Sequence, residues 1–238
     1  MNHANNQIER ITFKKLVHDL YEILNLKRGI LHTLYQTAKN PWNLVSTYLY
    51  EDRSKIVNSF RLLIFIVTLS TFISVTFDVN DITFKESVQM NFDSSEVIKE
   101  SKIDVKSEFM RLMNQNQSML QFLLVPFLGL FTYLFYKNSG LNLAEQITAQ
   151  AYFISFNTAV TILLTPLVFY SVKVYVAIPL ILLAVYHIWY CLSLPSNRSK
   201  VRRIFAAVAS ISIGYFLYSL IIMFMVGIYI GYKIATEH

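Results

Sequence analysis

Five long apolar blocks constrain this chain more than any other feature of its sequence. They lie at about residues 59–77, 118–136, 147–170, 175–194 and 204–232. A helix needs about 20 mostly apolar residues to cross a hydrocarbon core about 30 Å thick. Only 15% of the 238 residues are charged, against about 25% in a typical soluble domain. We therefore predict an all-α polytopic membrane protein with five transmembrane helices.

The fifth block is longer than a perpendicular span requires. At 1.5 Å per residue its length is roughly 44 Å, so this helix must tilt, bend or protrude from the bilayer. Gly214 is the expected position of a bend.

Residues 1–58 form a polar, basic segment that we expect to be cytoplasmic. Apolar residues recur at helical spacing between Ile11 and Asn25, with Thr12 as the expected N-cap. A second helical stretch follows Gly29, and Pro41 begins a third. These amphipathic helices either lie on the membrane surface or pack against the protein's own loops. The first 28 residues hold no apolar stretch, so we expect the first span, and no cleavable signal, to direct insertion.

The distribution of basic residues predicts the orientation. Residues 1–61 hold nine Lys/Arg and residues 198–203 hold four, whereas residues 78–117 hold eight acids against five bases. Basic loops remain inside, so we expect a bacterial inner (cytoplasmic) membrane protein. Its N-terminus is cytoplasmic, its C-terminus is periplasmic, and residues 78–117 form an extracytoplasmic loop.

The formal net charge of +6 favours the lipid bilayer and its anionic headgroups as partners. The basic residues flank apolar blocks and accompany no nucleic-acid motif, so we expect no nucleic acid as a partner. The expected headgroup contacts are Lys14, Lys15, Lys27, Arg28, Trp42, Arg198, Lys200, Arg202 and Arg203.

The sequence gives no indication of catalysis, metal binding or a cofactor. Cys191 is the single cysteine, and it is most simply a small buried hydrophobe. The five histidines are scattered, and the common zinc, phosphate and nucleophile motifs are missing from the sequence. We therefore expect a protein that is not an enzyme, with no cofactor, no metal and no catalytic residue.

Four polar residues within the third and fourth blocks are candidates for an intramembrane site. Asn157, Thr161 and Thr165 share one helix face, bordered by Thr158. They either line a polar path or bond to a neighbouring helix. His187 lies inside the fourth block, where an ionisable side chain suggests either a proton or ligand role or a structural bond between helices.

Glu145 is a candidate contact at the cytoplasmic mouth of the third span. A carboxylate in the first turn of a helix is favoured by the helix dipole, with Asn142 as a cap. The functional alternative is contact with an ion or a headgroup.

Several runs resemble an uncharacterised Bacteroidota integral membrane protein family, a domain of unknown function often preceded by a short zinc ribbon. The runs are RIT at Arg10–Thr12, LHTLYQTAKNP at Leu31–Pro41, FRLLIF at Phe60–Phe65, NLAEQ at Asn142–Gln146 and VYHIWY at Val185–Tyr190. The resemblance covers roughly residues 10–230 and implies a location and a topology but no chemistry.

The chain departs from that family's pattern at three places. No cysteine precedes Cys191, so the zinc ribbon is missing, while Ser59 replaces a proline and Gln146 replaces a histidine.

The sequence shows no catalytic or ion-coordinating cluster, and its amphipathic basic helices suit contacts at a surface. We therefore expect a non-enzymatic membrane scaffold or partner subunit that binds another protein or a second copy of itself. The alternative is a small-solute or ion transporter or channel, which could assemble as an oligomer.

Overall fold

The computed structural model describes residues 29–83, 112, 116–196 and 199–236, and within these ranges the chain is helical with no strand. Its helices are α1 Ile30–Lys39, α2 Pro41–Ser46, α3 Ser59–Thr76, α4 Gln117–Phe135, α5 Leu143–Leu164, α6 Val172–Ser193 and α7 Lys200–Thr236. The predicted helix Ile11–Asn25 and most of the loop 78–117 lie outside the described residues.

The all-α membrane fold predicted from the sequence is confirmed. Helices α3, α5, α6 and α7 are each long and apolar enough to cross a membrane, and Met119–Phe135 of α4 is a shorter apolar helix. Helices α3 to α7 begin and end within about one turn of the five predicted blocks when the 3₁₀ turn Thr165–Phe169 is counted with α5. Because 39 large hydrophobic side chains in the described part of the chain are exposed, lipid is the solvent that these surfaces require.

Successive apolar helices run in opposite directions, which gives the bundle two distinct ends. We call the end that holds α1, α2 and the connections 136–142 and 194–199 the proximal end. The other is the distal end, where Val79, Val168 and Val172 form a small buried cluster. Two residues, 170 and 171, separate the 3₁₀ turn after α5 from the start of α6, so these helices form a tight hairpin.

Helix α5 occupies the centre of the bundle and packs against α1, α3, α4 and α6. All seven residues from Ala149 to Ser155 are buried. A helix surrounded in this way has no lipid-facing side over that stretch. Consequently, polar side chains on α5 must find partners within the protein.

Helices α1 and α2 pack against the membrane helices α5 and α6, whereas the sequence analysis expected either the membrane surface or the protein's own loops. Leu44 and Val45 are buried in the same apolar cluster as Leu62 of α3. Tyr152 of α5 donates to the Val57 carbonyl at 2.7 Å, and Tyr186 of α6 donates to the Ala38 carbonyl at 2.9 Å. Residues 29–58 are therefore part of one structural unit with the membrane helices.

Pro41 and Gly29 have the positions that the sequence predicts. Pro41 is the first residue of α2, where Asn40 caps the helix by accepting from the Asn43 amide at 3.2 Å. Gly29 is the N-cap residue of α1. The missing amide hydrogen of a proline costs nothing at this position because the first turn has no partner for it.

Helix α7 is 37 residues long and continues through Gly214. A Cβ atom at Gly214 would lie 3.1 Å from Leu128 Cδ2 of α4. The lack of a side chain at Gly214 therefore allows α7 to approach α4 closely. The sequence analysis did not predict this packing function, and the expected bend at Gly214 stays a prediction.

Candidate functional site

The most polar part of the interior lies in the proximal half of the bundle, where α4, α5, α6 and α7 meet. We define the proximal polar cluster as six side chains. It comprises Thr132, Gln146, Gln150, His187, Tyr190 and Ser210, each with at most 2% of its surface exposed. The cluster contains hydroxyl, amide and imidazole groups, which are far cheaper to bury than charged groups when they are paired.

The two glutamines of α5 connect that helix to its neighbours on either side. Gln146 accepts a hydrogen bond from the Tyr190 hydroxyl of α6 at 3.0 Å. One turn further along, Gln150 donates to the Thr132 hydroxyl of α4 at 3.2 Å. Because Gln146 and Gln150 are one turn apart on α5, a single row of amides connects three helices.

His187 connects α6 to α7. Its Nε2 atom lies 2.8 Å from the Ser210 hydroxyl oxygen, and that hydroxyl donates to the Ala207 carbonyl at 2.9 Å. A histidine that donates through Nε2–H is the tautomer that agrees with both of these bonds. The His187 Nδ1 atom is buried and has no partner among the described residues.

The Cys191 thiol lies next to this pair but is not placed for nucleophilic chemistry. Its sulfur is 3.6 Å from His187 Nε2. The residue is completely buried, so a substrate has no access to the sulfur in this structure. The expectation of a small buried hydrophobe matches this position.

Arg203 connects the end of α6 to the start of α7. One guanidinium nitrogen donates to the carbonyls of Cys191 at 3.1 Å and Leu194 at 2.6 Å, and also to that of Leu192. Tyr136, which follows α4, donates in turn to the Arg203 carbonyl. The last carbonyls of a helix have no partner within it, so Arg203 caps α6.

The structure places Glu145 in a helix cap. Its amide donates to the Asn142 side chain at 2.9 Å, and its carboxylate accepts from the Asn142 amide at 2.8 Å. This reciprocal capping box is the structural alternative predicted for Glu145. Partial burial raises the pKa of Tyr50, and the nearby Glu145 carboxylate raises this pKa further.

The structure does not bring the polar row of α5 together with His187. Thr161 and Thr165 donate back to carbonyls of their own helix, at 2.9 Å and 3.4 Å. Asn157 Oδ1 is buried without a partner in the described part of the chain. By helical rise, Asn157 lies about 12 Å further from the proximal end than His187 does. Thr158, which borders the row, donates to the Gln121 side chain of α4 at 3.4 Å.

The expected headgroup residues have different environments. Lys200 and Arg202 are exposed, as a headgroup contact requires. Trp42 is partly buried against the apolar cluster, and the Arg203 guanidinium donates to backbone carbonyls. Neither side chain therefore has the exposed position that was expected for a headgroup contact. Lys14, Lys15, Lys27, Arg28 and Arg198 lie outside the described residues.

The sequence reasoning did not identify Gln146, Gln150, Tyr190, Thr132 and Ser210 as one cluster. The two glutamines are four positions apart in the sequence, which is a detectable signal because long amides inside an apolar block need partners. Their partners come from α4 and α6, which only the three-dimensional packing of the helices specifies.

The fold and this interior define an all-α polytopic membrane protein whose helices are connected by neutral hydrogen bonds. No known protein family, curated protein or solved structure matches the chain. Among the described residues, no group of three or more His, Cys, Asp or Glu side chains could hold a metal ion.

Proposed function

We propose that this protein is a non-enzymatic membrane scaffold or partner subunit that binds another transmembrane chain, or a second copy of itself, through α7. The observation that carries the proposal is the small buried share of this helix. Of the residues in an apolar 18-residue segment of α7, only 11% are buried inside the bundle, whereas the corresponding share is 39% in α3 and in α5.

The contacts of α7 support this function. The helix packs mainly on α4 and α6, using a face that includes Ala207, Ser210 and Ile222. Its other side exposes large residues such as Phe205, Phe216 and Phe224, each more than 60% exposed. A long apolar helix with one covered face has room for a second helix in the plane of the membrane.

Photo-crosslinking in native membranes tests this proposal. A photoreactive benzoyl-phenylalanine at Phe216 or Phe224 is expected to give a covalent protein–protein adduct, because both side chains project from the uncovered side of α7. The mass of the adduct distinguishes a second copy from a different chain. The matched control is the same replacement at Phe72 of α3, which is 68% exposed and is expected to give no protein adduct.

Two results would count against the scaffold proposal. The first is the absence of any protein adduct at Phe216 and Phe224, and the second is equal adduct formation at Phe72. Flux of small solutes or ions through proteoliposomes of the purified chain would favour the transport alternative instead.

The transport alternative has one observation in its favour. Gln146 Nε2, Asn157 Oδ1 and His187 Nδ1 are buried polar atoms without partners in the described part of the chain, as groups along a hydrated path could be. These groups are distributed over more than one level of the bundle, and the Thr161 and Thr165 hydroxyls donate to carbonyls of their own helix. The geometry therefore supports a scaffold better than a path.

The proposal includes a location in a bacterial inner membrane with the proximal end in the cytoplasm. Among the described residues, the basic side chains of 29–61 and 199–203 lie at this end. Lys200 and Arg202 are exposed there to meet anionic headgroups. The resemblance to the Bacteroidota membrane family, which implies the same location, stays a prediction.

Cysteine labelling checks the orientation. In a chain carrying Arg202→Cys, we expect a membrane-impermeant maleimide to react only after the cells are permeabilised. The native Cys191 is completely buried, so it contributes little background. Labelling of intact cells at this position would reverse the proposed topology.

A further inference from the structure

We infer that the outer face of α3 binds one anionic phospholipid, with Arg61 on the phosphate and one acyl chain along the helix. A concave surface of about 730 Å³ lies against this face. Among the described residues its lining, which we call the α3 stripe, comprises Arg61, Ile64, Phe65, Thr68, Leu69 and Phe72. This surface is separate from the proximal polar cluster and from α7.

The order of residues along the α3 stripe matches the chemistry of a phospholipid. The single charged group, Arg61, lies in the first turn of α3, which begins at Ser59 at the proximal end. Every stripe residue beyond it is apolar except Thr68. A cation at the level of the headgroups followed by a continuous apolar surface fits an amphiphile whose anionic part lies at the proximal end.

The length of the α3 stripe fits one leaflet. From Arg61 to Phe72 the helix rises about 16 Å at 1.5 Å per residue. One half of a hydrocarbon core that is about 30 Å thick measures about 15 Å. An acyl chain that extends from a phosphate at Arg61 would therefore end near Phe72, at the midplane of the bilayer.

The charge of Arg61 is available for such a ligand. Arg61 is exposed, and the one salt bridge among the described residues joins Lys55 to Asp52. Guanidinium groups bind phosphate oxygens through two parallel hydrogen bonds. A zwitterionic lipid presents the same phosphate with a compensating cation, so we expect an anionic headgroup to be preferred.

Photoreactive lipids test this inference. The full chain is reconstituted in phosphatidylcholine vesicles that contain either a phosphatidylglycerol or a phosphatidylcholine analogue with a photoreactive acyl chain. Adducts on residues 61–72 are then measured by peptide mass spectrometry. We expect phosphatidylglycerol to give the higher yield and Arg61→Gln to lower that yield about fivefold, the factor that one interfacial basic residue contributes.

Two variants serve as controls. Lys137→Gln removes one positive charge from another exposed position at the proximal end and should leave the yield on the α3 stripe unchanged. Arg61→Lys keeps the positive charge but lacks the planar guanidinium group, and it should retain most of the preference for phosphatidylglycerol.

Three outcomes would overturn the inference. They are equal yields for the two lipids in the native chain, a yield unaffected by Arg61→Gln, and a protein–protein adduct from photoreactive Phe72 whose mass identifies a second copy on this face. The two outcomes that concern lipid yield do not bear on whether α7 binds a partner, so the lipid inference can fail without the α7 proposal. A Phe72 adduct as strong as those at Phe216 and Phe224 would count against both.

Discussion

Gly129→Ala is expected to destabilise the bundle by about 1–3 kcal/mol, as overpacking of a close contact does. Gly129 is buried on α4, and a Cβ atom there would lie 2.6 Å from Ile147 Cγ1 and 2.9 Å from Ile147 Cα. A side chain could rotate away, but the backbone of α5 cannot. The added methyl group must therefore separate α4 from the central helix.

The other helical glycines provide matched controls for Gly129→Ala. A Cβ atom at Gly227 would have nothing within 4 Å, and one at Gly214 would meet only side-chain atoms, the nearest at 3.1 Å. Gly227→Ala should be neutral or slightly stabilising because alanine is the better helix former, and Gly214→Ala should have an intermediate effect. Unfolding in mixed micelles titrated with dodecyl sulfate gives the free energy for each variant. Equal stability of Gly129→Ala and the native chain would contradict the close packing of α4 on α5.

Arg203→Gln is expected to lower the free energy of unfolding by about 1.5–3 kcal/mol, the range for hydrogen bonds to a charged group. The reason is that one guanidinium nitrogen serves three carbonyls at the end of α6. A shorter, neutral amide cannot reach them all. The same micelle titration measures the loss, and faster proteolysis within 194–199 should accompany it.

The neighbouring arginine separates the effect of charge from the effect of the cap. Arg202 is exposed, so Arg202→Gln removes the same charge without removing a helix cap and should change stability by less than about 0.5 kcal/mol. If both variants lost the same stability, net charge would be the cause and the capping function of Arg203 would be wrong.

Local chemistry was the most predictable part of the candidate site. The Asn142–Glu145 box depends on residues three positions apart at a helix start, so its sequence pattern is sufficient to predict it. Pro41 is equally local because proline favours the first turn of a helix. The apolar blocks predicted the membrane helices because hydrocarbon leaves few alternatives for a spanning backbone.

The remaining features depend on which helices become neighbours. The periodicity of α5 placed Asn157, Thr161 and Thr165 on one face, but it could not specify that two of their hydroxyls bond within the helix. Arg203 looks the same in the sequence as the exposed Arg202, and only the position of the α6 terminus distinguishes them. Amphipathic helices such as α1 have a buried face whether lipid or protein covers it, so the sequence left both alternatives open.

The enclosure of α5 has a consequence for the order in which the chain is made. Thr132, the partner of Gln150, is synthesised before α5, whereas Tyr190, the partner of Gln146, follows it. Because synthesis proceeds from the N-terminus, the partner of Gln150 is already present when α5 is made, whereas Gln146 has no partner until α6 is made. The tight α5–α6 hairpin keeps this interval short, because only Tyr170 and Ser171 separate the 3₁₀ turn after α5 from α6.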